Sequence, residues 1–174
     1  MIKVIKIGGN VVDNPELLGR FVRDFAAMPG MKILVHGGGV KASQMQKAMG
    51  MVPQMVEGRR VTDEETLKVV TMVYAGWCSK NITALLQAEG CNAIGLCGAD
   101  GNVIKARKRA PLYVESLGKE VDYGYVGDVS AESVNAGFIY SLLEKGIVPV
   151  FNAINHDGEG NLLNTNADTI ASSV

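Results

Sequence analysis

A chain of 174 residues that is 47% hydrophobic and 20% charged is long enough and apolar enough to close one core of useful size. Its 17 lysines and arginines against 18 aspartates and glutamates give a net charge of -1, which excludes the basic field that nucleic acid or an anionic lipid surface requires. Small molecules and further copies of the chain are the expected partners. Cys78, Cys91 and Cys97 are odd in number, form no C-x-x-C pair and have only His36 and His156 for company. They predict packed, reduced thiols, with neither a disulfide framework nor a metal site. The chain opens on strand-like residues without the features of a signal peptide, and no apolar run approaches transmembrane length, so a cytoplasmic protein is expected.

Residues 2–7 are rich in β-branched side chains and end at Gly8-Gly9, which predicts a buried strand stopped by a loop. Asn14-Pro15 starts a helix whose apolar residues Leu17, Leu18, Phe21, Val22 and Phe25 recur at helical spacing until Pro29-Gly30 stops it. A second strand over 31–35 leads to Gly37-Gly38-Gly39 and to a helix over 40–49 with a stripe of methionine and alanine, Met45, Met49 and Met51 being read as packing. Strand, helix, strand, helix predicts parallel βαβ units and an α/β fold. Residues 54–62 read as a polar hairpin or lid. A long helix is expected over 63–89, with Thr62 as N-cap, Glu65 completing a capping box, and an interruption near Gly76. A strand over 93–97, a hairpin excursion over 102–122, a helix over 130–145 ended by Gly146, a strand over 147–151 and a turn at 157–160 follow. A last helix, entered through Asn164 to Asp168, runs to Val174.

Both glycine loops follow the first two strands, so a parallel sheet places them together at its carboxyl edge, where open α/β folds bind ligands. Glycines there let backbone N–H groups approach an anion, and the helix after Gly39 adds its positive end. Phosphate or carboxylate is the natural guest, and a structural turn is the plain alternative. Lys6 lies two residues before the first loop. It is either a buried ammonium waiting for an anion or an edge lysine with a snorkelling stem, as Lys3 would be. Arg59-Arg60 is either a solvated pair or a grip for a carboxylate. Asn164, Asn166 and Asp168 enter a helix at alternate positions, more polar side chains than N-capping alone would need. Asp168 is of the type that positions a lysine or a metal-bound phosphate. His36 reads as structural, and Arg107-Lys108-Arg109 as a solvated face. No P-loop signature occurs, since Gly118-Lys119 is followed by Glu120, and there is no G-x-G-x-x-G. His36-Gly-Gly-Gly39 mimics the oxyanion motif of lipases, but no G-x-S-x-G nucleophile elbow accompanies it.

In order and spacing, Ile5-Lys-Ile-Gly-Gly9, Val35-His-Gly-Gly-Gly39, Gly58-Arg-Arg-Val-Thr62, Tyr125-Val-Gly-Asp128 and Asn164-Thr-Asn-Ala-Asp168 together resemble the amino acid kinase family. Within it they are most similar to the members that phosphorylate N-acetylglutamate in arginine biosynthesis. The resemblance covers the whole chain. It implies a mainly parallel central sheet sandwiched by helices, with ATP and Mg2+ as cofactors and phosphoryl transfer to the γ-carboxylate of N-acetyl-L-glutamate or another N-acyl-L-glutamate. By the same resemblance Lys6 would stabilise charge on the transferring group, while Gly8, Gly9 and Gly37 donate N–H groups to phosphate. Gly38, Gly39, Arg60 and Asn164 would hold the acyl-glutamate with help from Asn166, and Asp168 would organise the catalytic lysines. Such members carry a second lobe with the adenine site and a further lysine. Residues 1–174 are therefore expected to be the N-terminal acyl-glutamate-binding lobe, lacking the nucleotide-binding lobe and inactive alone. Because the chain begins at its first strand, an arginine-insensitive homodimer is expected. Acetyl versus succinyl on the glutamate nitrogen stays open. The alternatives are another member of the same family, or a non-catalytic acyl-glutamate-binding or dimerisation module.

Overall fold

The computed structural model describes all 174 residues. Four strands form one wholly parallel sheet: β1 (Lys3–Ile7), β2 (Lys32–His36), β5 (Ala93–Leu96) and β10 (Val148–Phe151), in the spatial order β1-β2-β10-β5. The two central strands are buried along their whole length, as a sheet covered on both faces demands. Strand periodicity sends Ile33 and Val35 to one face, into a core with Phe151, Leu163 and Ile170. Leu34 goes to the other, among Ile7, Phe25, Ile82 and Leu86.

The first helical layer follows its sequence signals closely. A single turn, α1 (Gly9–Val12), leads to α2 (Pro15–Ala27), whose N-cap Asn14 accepts from the N–H groups of Glu16 and Leu17 and whose first residue is proline. Leu18, Val22 and Phe25 are its buried stripe, whereas Leu17 is exposed. Lys32 caps the other end from the sheet. Its ammonium, on a residue only 5% exposed, donates to the carbonyls of Phe25, Ala26 and Met28 at 2.7, 2.8 and 2.6 Å and lies 5.1 Å from the Phe25 ring. All three ammonium protons therefore satisfy the carbonyls that a helix end leaves unpaired.

After β2 comes α3 (Gly39–Ala48), then the short hairpin of β3 (Met55–Val56) and β4 (Arg59–Arg60) expected over 54–62. The long helix is α4 (Glu64–Thr71), a π-helical segment (Met72–Cys78) and α5 (Ser79–Ala88). Three expectations need correction. Asp63, not Thr62, is the N-cap of α4, because its carboxylate accepts from Thr66 N–H at 2.8 Å while Thr62 bridges to Gly124. Gly76 does not interrupt the helix; the chain widens into a π-helix around it and continues. Met45 and Met49 are about half exposed, and the buried residues of α3 are Ala42 and Gln46.

The excursion contains β6 (Arg107–Lys108) paired with β9 (Gly127–Asp128), and a hairpin of β7 (Leu112–Val114) and β8 (Lys119–Val121). The helix expected from 130 begins later. A 3-10 turn spans Ala131–Ser133, and α6 (Ala136–Glu144) starts at Asn135, whose side chain accepts from Phe138 N–H. Ser130 closes a local capping box, which spends the first signal on a separate turn. After β10, β11 (Ile154–His156) and β12 (Leu162–Asn164) form a hairpin that delivers α7 (Ala167–Ser173) back onto β1 and β2. No helix is long and apolar enough to cross a membrane.

His36 closes β2 and is wholly buried, and burial pulls its pKa from 6.5 down to about 4, against a smaller opposing effect of its hydrogen bond to Gly37. The folded chain thus binds fewer protons at this site than the unfolded chain, so stability is complete above about pH 6.5 and falls as pH drops toward 4. The loss over that window is expected to be about 3 kcal/mol. Urea denaturation at pH 7 and pH 4 should show this component in the natural chain and lack it in His36→Phe. Lys32→Met, which keeps the stem and removes the cap, should lower the unfolding free energy by about 2–3 kcal/mol in the same assay. An unchanged midpoint would contradict the capping role.

Candidate active site

Parallel pairing puts Ile7 opposite His36, and both strands leave the sheet into glycine loops at one edge. Gly37 N–H donates to Ile7 O at 3.2 Å, and a methyl group at Gly9 would stand 3.3 Å from Val40 Cγ2, so the loops touch. Neither Gly8 before α1 nor Gly38 before α3 supplies a capping side chain. The first N–H groups of both helices consequently have no acceptor within their own helix.

A cleft of about 280 Å³ lies over this edge, and all ten residues singled out from the sequence line it: Lys6, Gly8, Gly9, Gly37, Gly38, Gly39, Arg60, Asn164, Asn166 and Asp168. Lys6 is not the buried ammonium that one reading expected. It sits on the edge strand β1, with its side chain 29% exposed, lies against Gly8, and pairs with Asp168 at 2.9 Å. Asp168 occupies the first turn of α7, where the helix N-terminus favours a carboxylate. Asn166 is the N-cap of that helix, its side-chain oxygen accepting from Asp168 N–H and Thr169 N–H at 2.8 and 3.1 Å.

Arg60 is held more tightly than a loop arginine. It is 7% exposed; Nη1 donates to Gln46 Oε1, and Nη2 donates to Gly39 O at 2.9 Å and Ser43 Oγ at 2.8 Å. Gln46 in turn donates to Thr66 Oγ1 at 3.0 Å, so α3 and α4 fix the guanidinium from behind. Asn164 donates to Thr62 Oγ1 at 3.1 Å, and Thr62 donates to Arg60 O at 3.1 Å, which ties the end of β12 to the β3–β4 hairpin. The solvated pair is thus divided: Arg60 is buried and Arg59 is exposed at the rim.

Among the cleft residues not singled out in the sequence, two stand out. Arg109, expected on a solvated face, has a side chain only 9% exposed, donates from Nε to both Asp128 oxygens at 3.1 and 3.2 Å, and lies 5.7 Å from the Tyr123 ring. The complementary charges of Arg107-Lys108-Arg109 and of Tyr125-Val-Gly-Asp128 were the available signal. Tyr74 comes from the π-helical segment and packs on Gly38, where a Cβ would approach Tyr74 Cδ1 to 2.9 Å and Cys78 Sγ to 3.2 Å. Burial raises the Tyr74 pKa, with Arg60 opposing. Burial likewise pushes Cys78 up to about 11, so it is a packed thiol and a poor nucleophile. All three cysteines are free.

Chemically, the cleft gathers cationic groups and unpaired N–H donors from two sides around a space the size of a small metabolite. That arrangement binds anions and stabilises charge that develops between them.

Known proteins share this arrangement of the chain. The chain is 55% identical to the acetylglutamate kinase of Phocaeicola vulgatus over 170 residues, covering 98% of this chain and 63% of that protein. It is 46% identical to the acetylglutamate kinase of Methanopyrus kandleri, covering 99% and 65%. The chain therefore spans a little under two thirds of the length of these curated relatives. Among solved structures, smu.665 from Streptococcus mutans aligns with a TM-score of 0.77 at 26% identity over 99% of this chain and 66% of that one. The N-acetylglutamate synthase of Neisseria gonorrhoeae, complexed with coenzyme A and N-acetyl-glutamate, reaches the same score at 22% identity and shares the fold over 38% of its length. The family model for amino acid kinases matches residues 1–174, and the chain belongs to the amino acid kinase family.

Proposed function

We propose that residues 1–174 form the acyl-glutamate-binding lobe of a kinase that transfers the γ-phosphoryl group of ATP to the side-chain carboxylate of N-acetyl-L-glutamate, or of another N-acyl-L-glutamate, in arginine biosynthesis. The observation that carries this reading is the meeting in one cleft of Lys6, Arg60, Asn164, Asp168 and two glycine-led helix ends. The names of the relatives support the substrate. The part of those relatives that this chain does not span is assigned the adenine site and a second lysine.

In this reading Arg60, Gly38, Gly39 and Asn164 hold the acyl-glutamate, with Asn166 shaping the same wall. Gly8 and Gly9 meet phosphate oxygens, whereas Gly37, expected as a third donor, has its N–H already engaged by Ile7 O and only lines the cleft. Attack by one anion on another concentrates negative charge at the transferring group, and the Lys6 ammonium, oriented by Asp168, faces that charge. Magnesium does not fit this chain's own donor set. No three His, Cys, Asp or Glu side chains come together, and the one carboxylate of the cleft is already paired with Lys6. The ion is therefore assigned to the ATP phosphates. The reading includes a cytoplasmic homodimer, which the exposed Met45, Met72 and Trp77 support as apolar surface available for a partner.

Titration calorimetry with N-acetylglutamate tests the reading, and absence of any binding by the folded chain would remove it. Arg60→Lys keeps the charge but cannot hold Gln46, Gly39 and Ser43 together, and is expected to weaken binding about tenfold or more. Lys6→Met should leave that affinity within about threefold, because Lys6 is assigned to the phosphoryl group and its pair is partly solvated. In a protein of the relatives' full length the same change should lower kcat by about 10²–10³. The 174 residues alone are expected to turn over no ATP.

A further inference from the structure

His36 has a hydrogen-bonding pattern that packing alone does not account for. Its ring is wholly buried, and Nδ1 lies 2.8 Å from the carbonyl oxygen of the next residue, Gly37. A carbonyl oxygen only accepts, so Nδ1 carries the proton and Nε2 is a bare acceptor. Nε2 is also buried and has no hydrogen-bond partner. An orphaned acceptor of this kind costs about 1–3 kcal/mol, which a phenylalanine of similar shape would avoid. The one polar contact that a phenylalanine could not make is the bond to Gly37 O.

That bond has a geometric consequence across the peptide it touches. In a trans peptide the C=O and the following N–H point in opposite directions. With Gly37 O drawn toward the buried ring, the N–H of Gly38 points away from the core, and Gly38 lines the cleft. Tyr74 and Cys78 press on the same residue from the π-helical segment, leaving no room even for a methyl group. The Gly37–Gly38 peptide is thus gripped from two sides at the start of the ten-residue helix α3.

We propose that His36 is a positioning residue, which holds the Gly37 carbonyl on the core side of the loop so that the Gly38 N–H stands fixed on the cleft side as a donor to an anionic ligand group. This deepens the acyl-glutamate reading, on which the identity of that group rests. A donor aimed before the ligand arrives needs no reorganisation on binding, which is where such a group contributes most.

Three variants separate this role from plain packing. His36→Asn places a side-chain N–H where Nδ1 was, His36→Gln reaches toward the Nε2 position, and His36→Phe fills the ring volume with no donor. N-acetylglutamate binding to the 174-residue chain should weaken about tenfold in the Phe and Gln variants and stay within about threefold in the Asn variant. Thermal stability should run in the other order, with Phe above Asn, because Asn leaves a cavity. Affinities that follow stability, or a Phe variant that binds as well as the natural chain, would overturn the proposal. The second of these decides alone if His36→Asn does not fold. Amide NMR of the natural chain provides the independent readout. The Gly38 N–H should shift downfield on adding N-acetylglutamate or inorganic phosphate, and a Gly38 signal unmoved by both would overturn the proposal. A response to phosphate alone would support the role of His36 while removing the acyl-glutamate reading.

Discussion

The parallel pairing of β1 with β2, which sets Ile7 against His36, is the constraint from which the cleft follows. Two strands running the same way leave the sheet at the same edge, and here the register sets their last residues opposite one another, each followed by glycines and a helix. The outcome is two sets of unpaired N–H groups side by side, with Lys6 just inside the edge and Arg60 brought over it by the β3–β4 hairpin. The hairpin β11–β12 then returns the chain to the same edge and sets α7 with Asp168 against Lys6. Each later element is placed by this first pair, and the anion-binding character of the cleft comes mostly from backbone that the pairing leaves without partners.

How much of this was legible in the sequence depended on the range of the interaction. Signals confined to a few residues were readable: the strands before Gly8 and Gly37, the Asn14-Pro15 helix start and the hairpin around Gly58, while the gathering of ten residues from Lys6 to Asp168 at one edge was expected only from the family resemblance. Where two local signals competed, the reading slipped. Thr62 and Asp63 both suit an N-cap, and Thr62 was taken instead by the bridge to Gly124, sixty-two residues away in the chain. Ser130 capped its own short turn and left Asn135 to start α6. Contacts distant in sequence were the least readable. Complementary charge alone hinted that Asp128 would neutralise Arg109, nothing announced that Tyr123 would cover it, and nothing near Tyr74 announces that it will lie on Gly38. Periodicity also misplaced Met45 and Met49, because on α3 the buried side is marked by Ala42 and by a polar residue, Gln46, whose function is to hold Arg60.

The buried charges share one solution. Lys32 meets three carbonyls, Arg60 meets a glutamine, a carbonyl and a hydroxyl, and Arg109 meets a carboxylate. Each is oriented by groups fixed in secondary structure, so none depends on solvent for its geometry. Of these, only Arg109 has its charge cancelled by its partner. Lys32 lies away from the cleft, so within a chain of net charge -1 it is Arg60 whose uncancelled charge stands under the cleft.

The π-helical segment from Met72 to Cys78 joins two helices that serve different cores. Val69 and Val70 of α4 pack with Ala42 and Ile154, while Ile82 and Leu86 of α5 pack with Phe25 and Leu34. The wider turns rotate the second stripe away from the direction an unbroken α-helix would have given it. Loss of a single residue here would rewind the segment and swing α5 by about 100° about its axis, taking Ile82 and Leu86 out of register with the sheet. The segment is therefore a counted spacer, indifferent to several of its side chains but not to their number. Outside the buried Val73, Tyr74 and Cys78, related chains of the same fold should vary in sequence between 72 and 78 and hold their length, and one gapped there with the fold intact would contradict this.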